Sequence, residues 1–248
     1  MIKRITMTDF HSHILPKTDD GSSCISESIE MLTSTKNQGI DRIVATPHFY
    51  ASDESPSEFL YRRNHTYQKL ISEIKELSLP EIILGAEVGF FEGMSDCNEL
   101  KDMVISGTSL LMVEMPVCKW SDRMLYEIKA INENQGIVPL IAHIDRYIKL
   151  LHDRKIINKL NGLPVLIQAN SSFFINKKTS RLAFSLLSKE KIHLLGSDCH
   201  NTATRPQNLG DAYSLISDKL GNDALIRISD NEKIVFSNSK SSLEELFI

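Results

Sequence analysis

Phe10-His11-Ser12-His13, followed by Asp19-Asp20-Gly21, stands near the start of the chain, and Gly196-Ser197-Asp198-Cys199-His200 is its counterpart far downstream. Alternate residues of a strand point the same way, so His11 and His13 share a face, as do Asp198 and His200. Pairs this far apart in sequence meet only if the chain closes on itself and sets its first strand beside its last. Between them fall Thr46-Pro47-His48, Gly85-Ala86-Glu87, Val113-Glu114 and Ala142-His143-Ile144-Asp145-Arg146, each directly after a short apolar run. That recurrence predicts a ring of strands whose ends jointly hold metal ions.

The runs themselves are Ile5–Phe10, Arg42–Thr46, Glu81–Glu87, Ser109–Met115, Val138–Ala142, Val165–Ala169 and Ile192–Gly196. Most are nearly continuous in apolar residues, as parallel strands covered on both faces are. Amphipathic stretches alternate with them: one around Ile29 and Leu32, one from Phe59 to Leu77, one from Met124 to Ile131, and one marked by Leu182, Leu186 and Leu187. Gly39 and Gly136 end two helices in similar contexts, Lys36-Asn37-Gln38-Gly39-Ile40 and Glu133-Asn134-Gln135-Gly136-Ile137, where a left-handed glycine turns the chain into the next strand. Strand–helix alternation of this kind fits a doubly wound sheet or an α/β barrel. An open sheet would hold His11 and His143 too far apart to share a site, whereas a barrel gathers the C-terminal ends of its strands. The expectation is a single α/β barrel domain over residues 1–248.

The composition suits a soluble protein with a large core, at 42% hydrophobic and 24% charged residues. A net charge of −4 without a basic run disfavours a nucleic-acid partner. No apolar run approaches the ~20 residues of a membrane helix, so direct membrane insertion is not expected. Cys24, Cys97, Cys118 and Cys199 show no paired spacing, and no apolar leader is visible, which points to the reducing cytoplasm.

Imidazole and carboxylate together suit Mn²⁺, Fe²⁺ or Zn²⁺. A carboxylate can bridge two cations, and metals about 3.5–4 Å apart suit in-line phosphoryl displacement by a water that the metal has acidified. Arg146 and Arg205 stand close after His143 and His200, where a guanidinium fork can hold phosphate oxygens. Each feature has a plainer role when taken alone. A histidine after a strand is commonly a surface or capping residue, Asp19-Asp20-Gly21 is an ordinary turn, and Glu114 can be an interior ion-pair partner. The recurrence at successive strand ends favours the metal reading.

These residues, in this order, resemble the polymerase-and-histidinol-phosphatase (PHP) superfamily, and within it the manganese-dependent tyrosine-protein phosphatases of bacterial capsule and exopolysaccharide operons. The stretch Asp9 to Pro16 with Asp19-Asp20-Gly21 is similar to that family's opening, and Ala45-Thr46-Pro47-His48, Gly85-Ala86-Glu87, Ala142 to Tyr147 and Ser197 to His200 continue it. The resemblance runs from about Thr8 to about Ala212. It implies a distorted seven-stranded, PHP-type (β/α)7 barrel with up to three metal ions at the C-terminal strand ends, Mn²⁺ first, with Fe²⁺, Zn²⁺ or Mg²⁺ as alternatives. Carried over by position, His11, His13, Glu87 and Asp198 hold the first metal. Glu87 bridges to a second, completed by Glu114 and His143, while Asp20, His48 and His200 hold the third. Arg146 and Arg205 match the phosphate-contacting arginines. The implied reaction is hydrolysis of phosphotyrosine on the tail of a bacterial tyrosine kinase that regulates polysaccharide production. Two features depart from the family pattern: extra residues from Met1 to Thr6, and Cys199 where a small residue such as Ala is expected.

Three other readings remain open from the residues. Cys199 to Arg205 satisfies C-x5-R, the loop of cysteine-dependent phosphatases, although it lacks the loop's glycine and Asp198 beside the thiol opposes thiolate formation. A phosphatase acting on histidinol phosphate or another small monoester would use much the same cluster. A non-enzymatic metal protein is the third, and so many ligands are more than one closed site requires. Phe49, Tyr50, Phe90, Phe91, Trp120 and Phe173 lie near strand ends, where they line a peptide groove or simply pack.

Overall fold

The computed structural model describes residues 6–153 and 155–247. Ile5 of the expected first strand, and Met1 to Ile5 of the N-terminal extension, lie outside them. Among the described residues there are nine strand segments, with helices between most of them: β1 (Thr8–Ser12), β2 (Arg42–Ala45), β3 (His48–Phe49), β4 (Glu81–Leu84), β5 (Glu87–Gly89), β6 (Leu110–Glu114), β7 (Val138–Ile141), β8 (Leu166–Asn170) and β9 (Leu194–Gly196). The helices are α1 (Ile25–Asn37), α2 (Pro56–Ile74), α3 (Asp122–Gln135), α4 (Ile144–Leu150), α5 (Ser171–Ile175), α6 (Ser180–Ser188), α7 (Leu209–Leu220), α8 (Asn222–Ser237) and α9 (Lys240–Glu244). Ser55 and Glu58 form a reciprocal cap with Pro56 at the start of α2, which begins it before the expected Phe59. Gly39 and Gly136 are left-handed, at φ +77° and +69°, as the sequence required.

Every strand pairing is parallel, in the orders β1-β2-β4 and β3-β5-β6-β7-β8-β9. The sheet curls until its first strand lies beside the chain leaving its last. Ser12 bridges Cys199, His13 N donates to the Cys199 carbonyl at 2.9 Å, and Asp198 N donates to the His11 carbonyl at 2.8 Å. Asp9, fully buried on β1, fixes this closure by accepting from Ser197 N, Ser197 Oγ and Gln207 Nε2. Gly196 permits the approach, because a Cβ there would sit 2.5 Å from that of His11. Phe10, Val44, Leu110, Met112, Leu140, Leu166 and Leu194, drawn from β1, β2 and β6 through β9, form one cluster. Residues from strands this far apart in order can share a cluster only on the inside of a curled sheet.

Nine segments appear where seven strands were expected, because two expected strands are interrupted. Pro47 offers no N–H to a ladder and separates β2 from β3, and Gly85-Ala86 separates β4 from β5. Backbone bonds persist across the breaks, with Gly85 N donating to the Ala45 carbonyl (2.9 Å) and Glu87 N to the Pro47 carbonyl (3.0 Å). Buried Arg63 of α2 clamps the second bend by donating to the carbonyls of Gly85 and Asp102. These bends set the direction in which His48 and Glu87 leave the sheet.

The opposite end of the sheet is covered by α8 and α9, whose Val235 and Leu243 join the interior cluster. Glu232 of α8 accepts from Thr8 N at 3.2 Å, and Asn231 Nδ2 donates to the His193 carbonyl at 3.0 Å. Among the described residues no helix is long and apolar enough to cross a membrane.

His193 ties this end to β8, since its Nδ1 accepts from Ile167 N at 2.9 Å, a bond that needs a neutral imidazole. Burial pushes its pKa from 6.5 down to about 4. A histidine whose pKa falls on folding contributes stability above its unfolded value and loses it as pH drops through the folded one. The urea midpoint in EDTA is therefore expected to fall between pH 6.5 and pH 4, with this group contributing on the order of 3 kcal/mol. In His193→Gln the fall should be shallower. Identical pH slopes in the two proteins would exclude the role.

Candidate metal centre

Seven of the nine expected ligands sit at or just beyond the C-terminal end of a strand segment or in the loop after β1, while His48 and Glu87 open β3 and β5 just past the breaks that follow β2 and β4, and the curl brings all nine together. Glu87, at the start of β5, is 1% exposed and lies at the middle. Its Oε2 is 3.0 Å from His11 Nε2, 3.2 Å from His48 Nδ1 and 3.3 Å from His13 Nε2, and its Oε1 is 2.7 Å from His143 Nε2. Glu114 Oε1 stands 3.4 Å from His143 Nε2. Asp20 Oδ1 lies 3.2 Å from His200 Nε2 and 3.5 Å from His48 Nε2. Asp198 Oδ1 is 3.5 Å from His11 Nε2 and 3.6 Å from both His13 Nε2 and His200 Nδ1.

Two of these residues occupy left-handed backbone, His143 at φ +30° and Asp198 at φ +57°. Non-glycine residues adopt that region at an energetic cost, and such strain concentrates at functional sites. Here both side chains leave their strand ends for the cluster, His143 reaching Glu87 and Asp198 reaching His11.

The electrostatics call for positive charge. Burial opposes ionisation of Glu87, yet the imidazoles of His11, His13 and His143 outweigh it and hold the carboxyl well below its usual range. Burial would likewise lower His13 and His143, but bonding to Asp19 and Glu87 carries the first up to about 10, and Glu114 with Glu87 carries the second to about 9. His200 moves the other way, to about 4, through burial and the neighbouring His13. Several ligand atoms are left poorly satisfied: among the described residues His143 Nδ1 is buried without a hydrogen bond, His200 Nε2 and Asp198 Oδ1 are met only through ion pairs with Asp20, Arg205 and neighbouring histidines, and His11 Nε2 faces His13 Nε2 at 3.2 Å. Three donor groups have atoms mutually within 4.8 Å, namely His11/His13/Asp198, His48/Glu87/Glu114 and His13/Asp20/His48/His200. Ligands about 2.0–2.2 Å from one cation lie about 3 Å from each other. The residues present thus fit cations in number, chemistry and spacing.

Arg146 and Arg205 stand at the rim. Arg146, in the first turn of α4, reaches Glu114 Oε1 at 2.7 Å and Asp198 Oδ2 at 2.9 Å. Arg205 reaches Asp198 Oδ1 at 2.8 Å from a loop in which Asn201 Oδ1 accepts three successive backbone N–H groups. An open cleft of about 390 Å³ adjoins the cluster, lined by Asp20, His48, Tyr50, Asp53, Glu54 and Arg62 among others.

Supporting residues escaped the sequence reading. Asp19 Oδ2 is 2.6 Å from His13 Nδ1 and also accepts from His48 N, so His13 presents Nε2 to the cluster. Gln168 on β8 accepts from His143 N at 2.6 Å and lies 3.4 Å from His11 Nδ1, which directs His11 Nε2 inward. Asn170 Nδ2 donates to Asp198 Oδ2 at 2.9 Å. The aromatics near the strand ends divide between packing and exposure beside the site. Phe49, Trp120 and Phe173 are buried in the core, where their rings are needed for packing, while Tyr50 stays one-third exposed beside the cluster.

Residues 7–244 match the family model described as Capsular polysaccharide synthesis, CpsB/CapC. The chain belongs to this family. Among CpsB/CapC relatives, the tyrosine-protein phosphatase CpsB of Streptococcus agalactiae serotype III (strain NEM316) is 26% identical over 253 residues, covering 98% of this chain and all of that protein. The tyrosine-protein phosphatase YwqE of Bacillus subtilis (strain 168) is 25% identical over 241 residues, covering 94% of this chain and 92% of its own length. A solved structure from work on YwqE of Bacillus subtilis and CpsB of Streptococcus pneumoniae, described as unique metal-dependent tyrosine phosphatases, superimposes with a TM-score of 0.78 at 23% identity, covering 94% of this chain and 95% of that one. The histidinol phosphate phosphatase of Lactococcus lactis shares the fold more distantly, with a TM-score of 0.56 at 14% identity over 87% of this chain and 94% of that one.

In this CpsB/CapC chain, Cys199 is no nucleophile. Its thiol is fully buried in the apolar cluster that includes Ile14, Leu15, Met31 and Leu32, and burial with Asp9 nearby raises its pKa further from neutrality. Cys199→Ser is expected to retain whatever hydrolysis the wild type performs, while losing about 1–3 kcal/mol of stability for a hydroxyl placed in an apolar pocket. Loss of turnover in a variant with unchanged cation content would reinstate the thiol.

Proposed function

We propose that this chain is a metal-dependent protein-tyrosine phosphatase that removes phosphate from the tail of a bacterial tyrosine kinase controlling capsular or exopolysaccharide biosynthesis. The observation that carries this reading is the buried Glu87 carboxylate, surrounded by His11, His13, His48 and His143 and bordered by Arg146 and Arg205. The names of the curated CpsB/CapC relatives support the substrate class. In this reading His11, His13, Glu87 and Asp198 would hold one cation, Glu87, Glu114 and His143 a second, and Asp20, His48 and His200 a third. Mn²⁺ is the first candidate, with Fe²⁺, Zn²⁺ and Mg²⁺ as alternatives. Such ions would acidify water and neutralise phosphoryl oxygens.

The chain's own groups account for the rest. Arg146 and Arg205, half-buried at the rim, offer guanidinium forks to the phosphate oxygens and to the charge that grows on them. Asp19 and Gln168 hold His13 and His11 with Nε2 inward. A phenol with a pKa near 10 leaves more readily than an alkyl alcohol, so little is asked of a proton donor. The bonds across the two strand breaks support counting β2 with β3, and β4 with β5, as single staves of a distorted (β/α)7 barrel, one domain over residues 1–248. A cytoplasmic location belongs to the same reading.

The test is hydrolysis of a phosphotyrosyl peptide and of histidinol phosphate after EDTA treatment, with Mn²⁺, Mg²⁺, Zn²⁺ and anaerobic Fe²⁺ restored separately. Chelation should abolish turnover of the peptide and Mn²⁺ should restore it. Activity that persists in EDTA would overturn the metal reading, and a preference for histidinol phosphate would replace the substrate. Asp19→Asn, which keeps every proposed ligand, should weaken Mn²⁺ binding by about 10–100-fold in calorimetric titration; undiminished affinity would mean that His13 needs no such partner.

A further inference from the structure

Tyr50 follows β3 directly and is held on three sides by groups from three strands. Its ring stacks on the His48 imidazole, with centroids 5.2 Å apart and planes at 21°. Its hydroxyl donates to Glu114 Oε2 at 2.8 Å and lies 3.2 Å from His48 Nδ1. Under the ring edge is Gly89 of β5, where a Cβ would come within 2.5 and 2.7 Å of Tyr50 Cδ1 and Cε1. The strand therefore lacks a side chain at the one point on which the phenol rests.

The two groups that Tyr50 joins have the same chemical task. His48 on β3 and Glu114 on β6 are separated by β5 in the sheet, and with Glu87 they form one of the three donor groups. Glu114 Oε1 is already engaged by Arg146 and approached by His143, which leaves Oε2 to Tyr50. A carboxylate gripped at both oxygens cannot swing away, and an imidazole with a ring stacked on its face cannot tilt. Groups placed behind metal ligands in this way commonly set ion affinity.

We propose that Tyr50 is a positioning residue for Glu114 and His48: by holding Glu114 Oε2 and His48 Nδ1 it keeps Glu114 Oε1 turned toward His143 and His48 Nε2 toward Asp20, where each would hold its cation, with Gly89 as the seat that permits it. This rests on the metal-dependent phosphatase reading. Tyr50 acts through its neighbours and takes no part in bond making.

Two variants approach the contact from opposite sides. Tyr50→Phe keeps the ring and removes the O–H; Gly89→Ala keeps the O–H and displaces the ring. Mn²⁺ binding to the full chain is read by competition with a fluorescent chelator, with the melting temperature of the EDTA-treated proteins as a check on folding. Both variants should bind Mn²⁺ about tenfold more weakly. Their turnover of phosphotyrosyl peptide should fall at limiting Mn²⁺ and recover at saturating Mn²⁺, with KM for the peptide unchanged. Wild-type affinity in both folded variants would overturn the proposal, as would a loss of kcat that saturating Mn²⁺ does not restore, since that would put Tyr50 in contact with the reacting groups. If the wild type binds no Mn²⁺, the phosphatase reading and the role of Tyr50 fall together. If it binds Mn²⁺ and cleaves the peptide while the variants match it, only the role of Tyr50 falls.

Discussion

A carboxylate removed from water must be given compensating positive charge, and Glu87 imposes that requirement on the whole molecule. It is nearly inaccessible, and four imidazoles from β1, the turn after β1, β3 and the end of β7 point nitrogen at its two oxygens. Strands that are remote in order can deliver those imidazoles only if the sheet curls. The Asp9–Ser197 bonds that close the curl are therefore as much a part of the site as the histidines. Around this centre, Glu114, Asp198 and Asp20 add negative charge faster than Arg146 and Arg205 offset it. The architecture thus creates a demand for cations that the neighbouring side chains only partly meet.

Orientation is supplied from behind. Asp19 and Gln168 act on His13 and His11, Asn170 on Asp198, and backbone strain at His143 and Asp198 turns those side chains inward. Each support is itself anchored: Asp19 by the Gly21 and His48 amides, Gln168 by Asn170, and Asn170 N by Asp145 Oδ1. A network of this kind resists the rotations that would let ligands pair with one another instead of with an ion.

Much of this could be read in the sequence because the ligands mark the ends of apolar runs. His11, His48, Glu87, Glu114, His143 and Asp198 each interrupt or terminate a run, and a curled parallel sheet is what converts that pattern into proximity. The interruptions at Pro47 and Gly85-Ala86 blurred the strand count, since periodicity does not register a bend that backbone bonding survives. Gln168 and Asn170 were within reach: two amides in Leu166-Ile167-Gln168-Ala169-Asn170 on a buried strand must find partners, which marks them as supports. Asp19 was hidden because a turn explains it well enough. The seat of Tyr50 on Gly89 could not be foreseen, because it depends on one missing Cβ on a neighbouring strand. The i, i+3, i+4, i+7 spacing of Leu209, Ala212, Tyr213 and Ile216 would have revealed α7.

The closure of β1 against the chain beyond β9 also governs when the site comes into being. A ribosome releases His11, His13 and Asp20 early, but Asp198, His200 and Arg205 follow only after every other strand has been made. Long-range parallel pairing forms late and slowly. Until β9 docks, Glu87 and the early histidines have no closed curl to hold them against Asp198. The cluster therefore depends on β9 and the chain just beyond it, and a nascent chain stalled before β9 holds ligands but no centre.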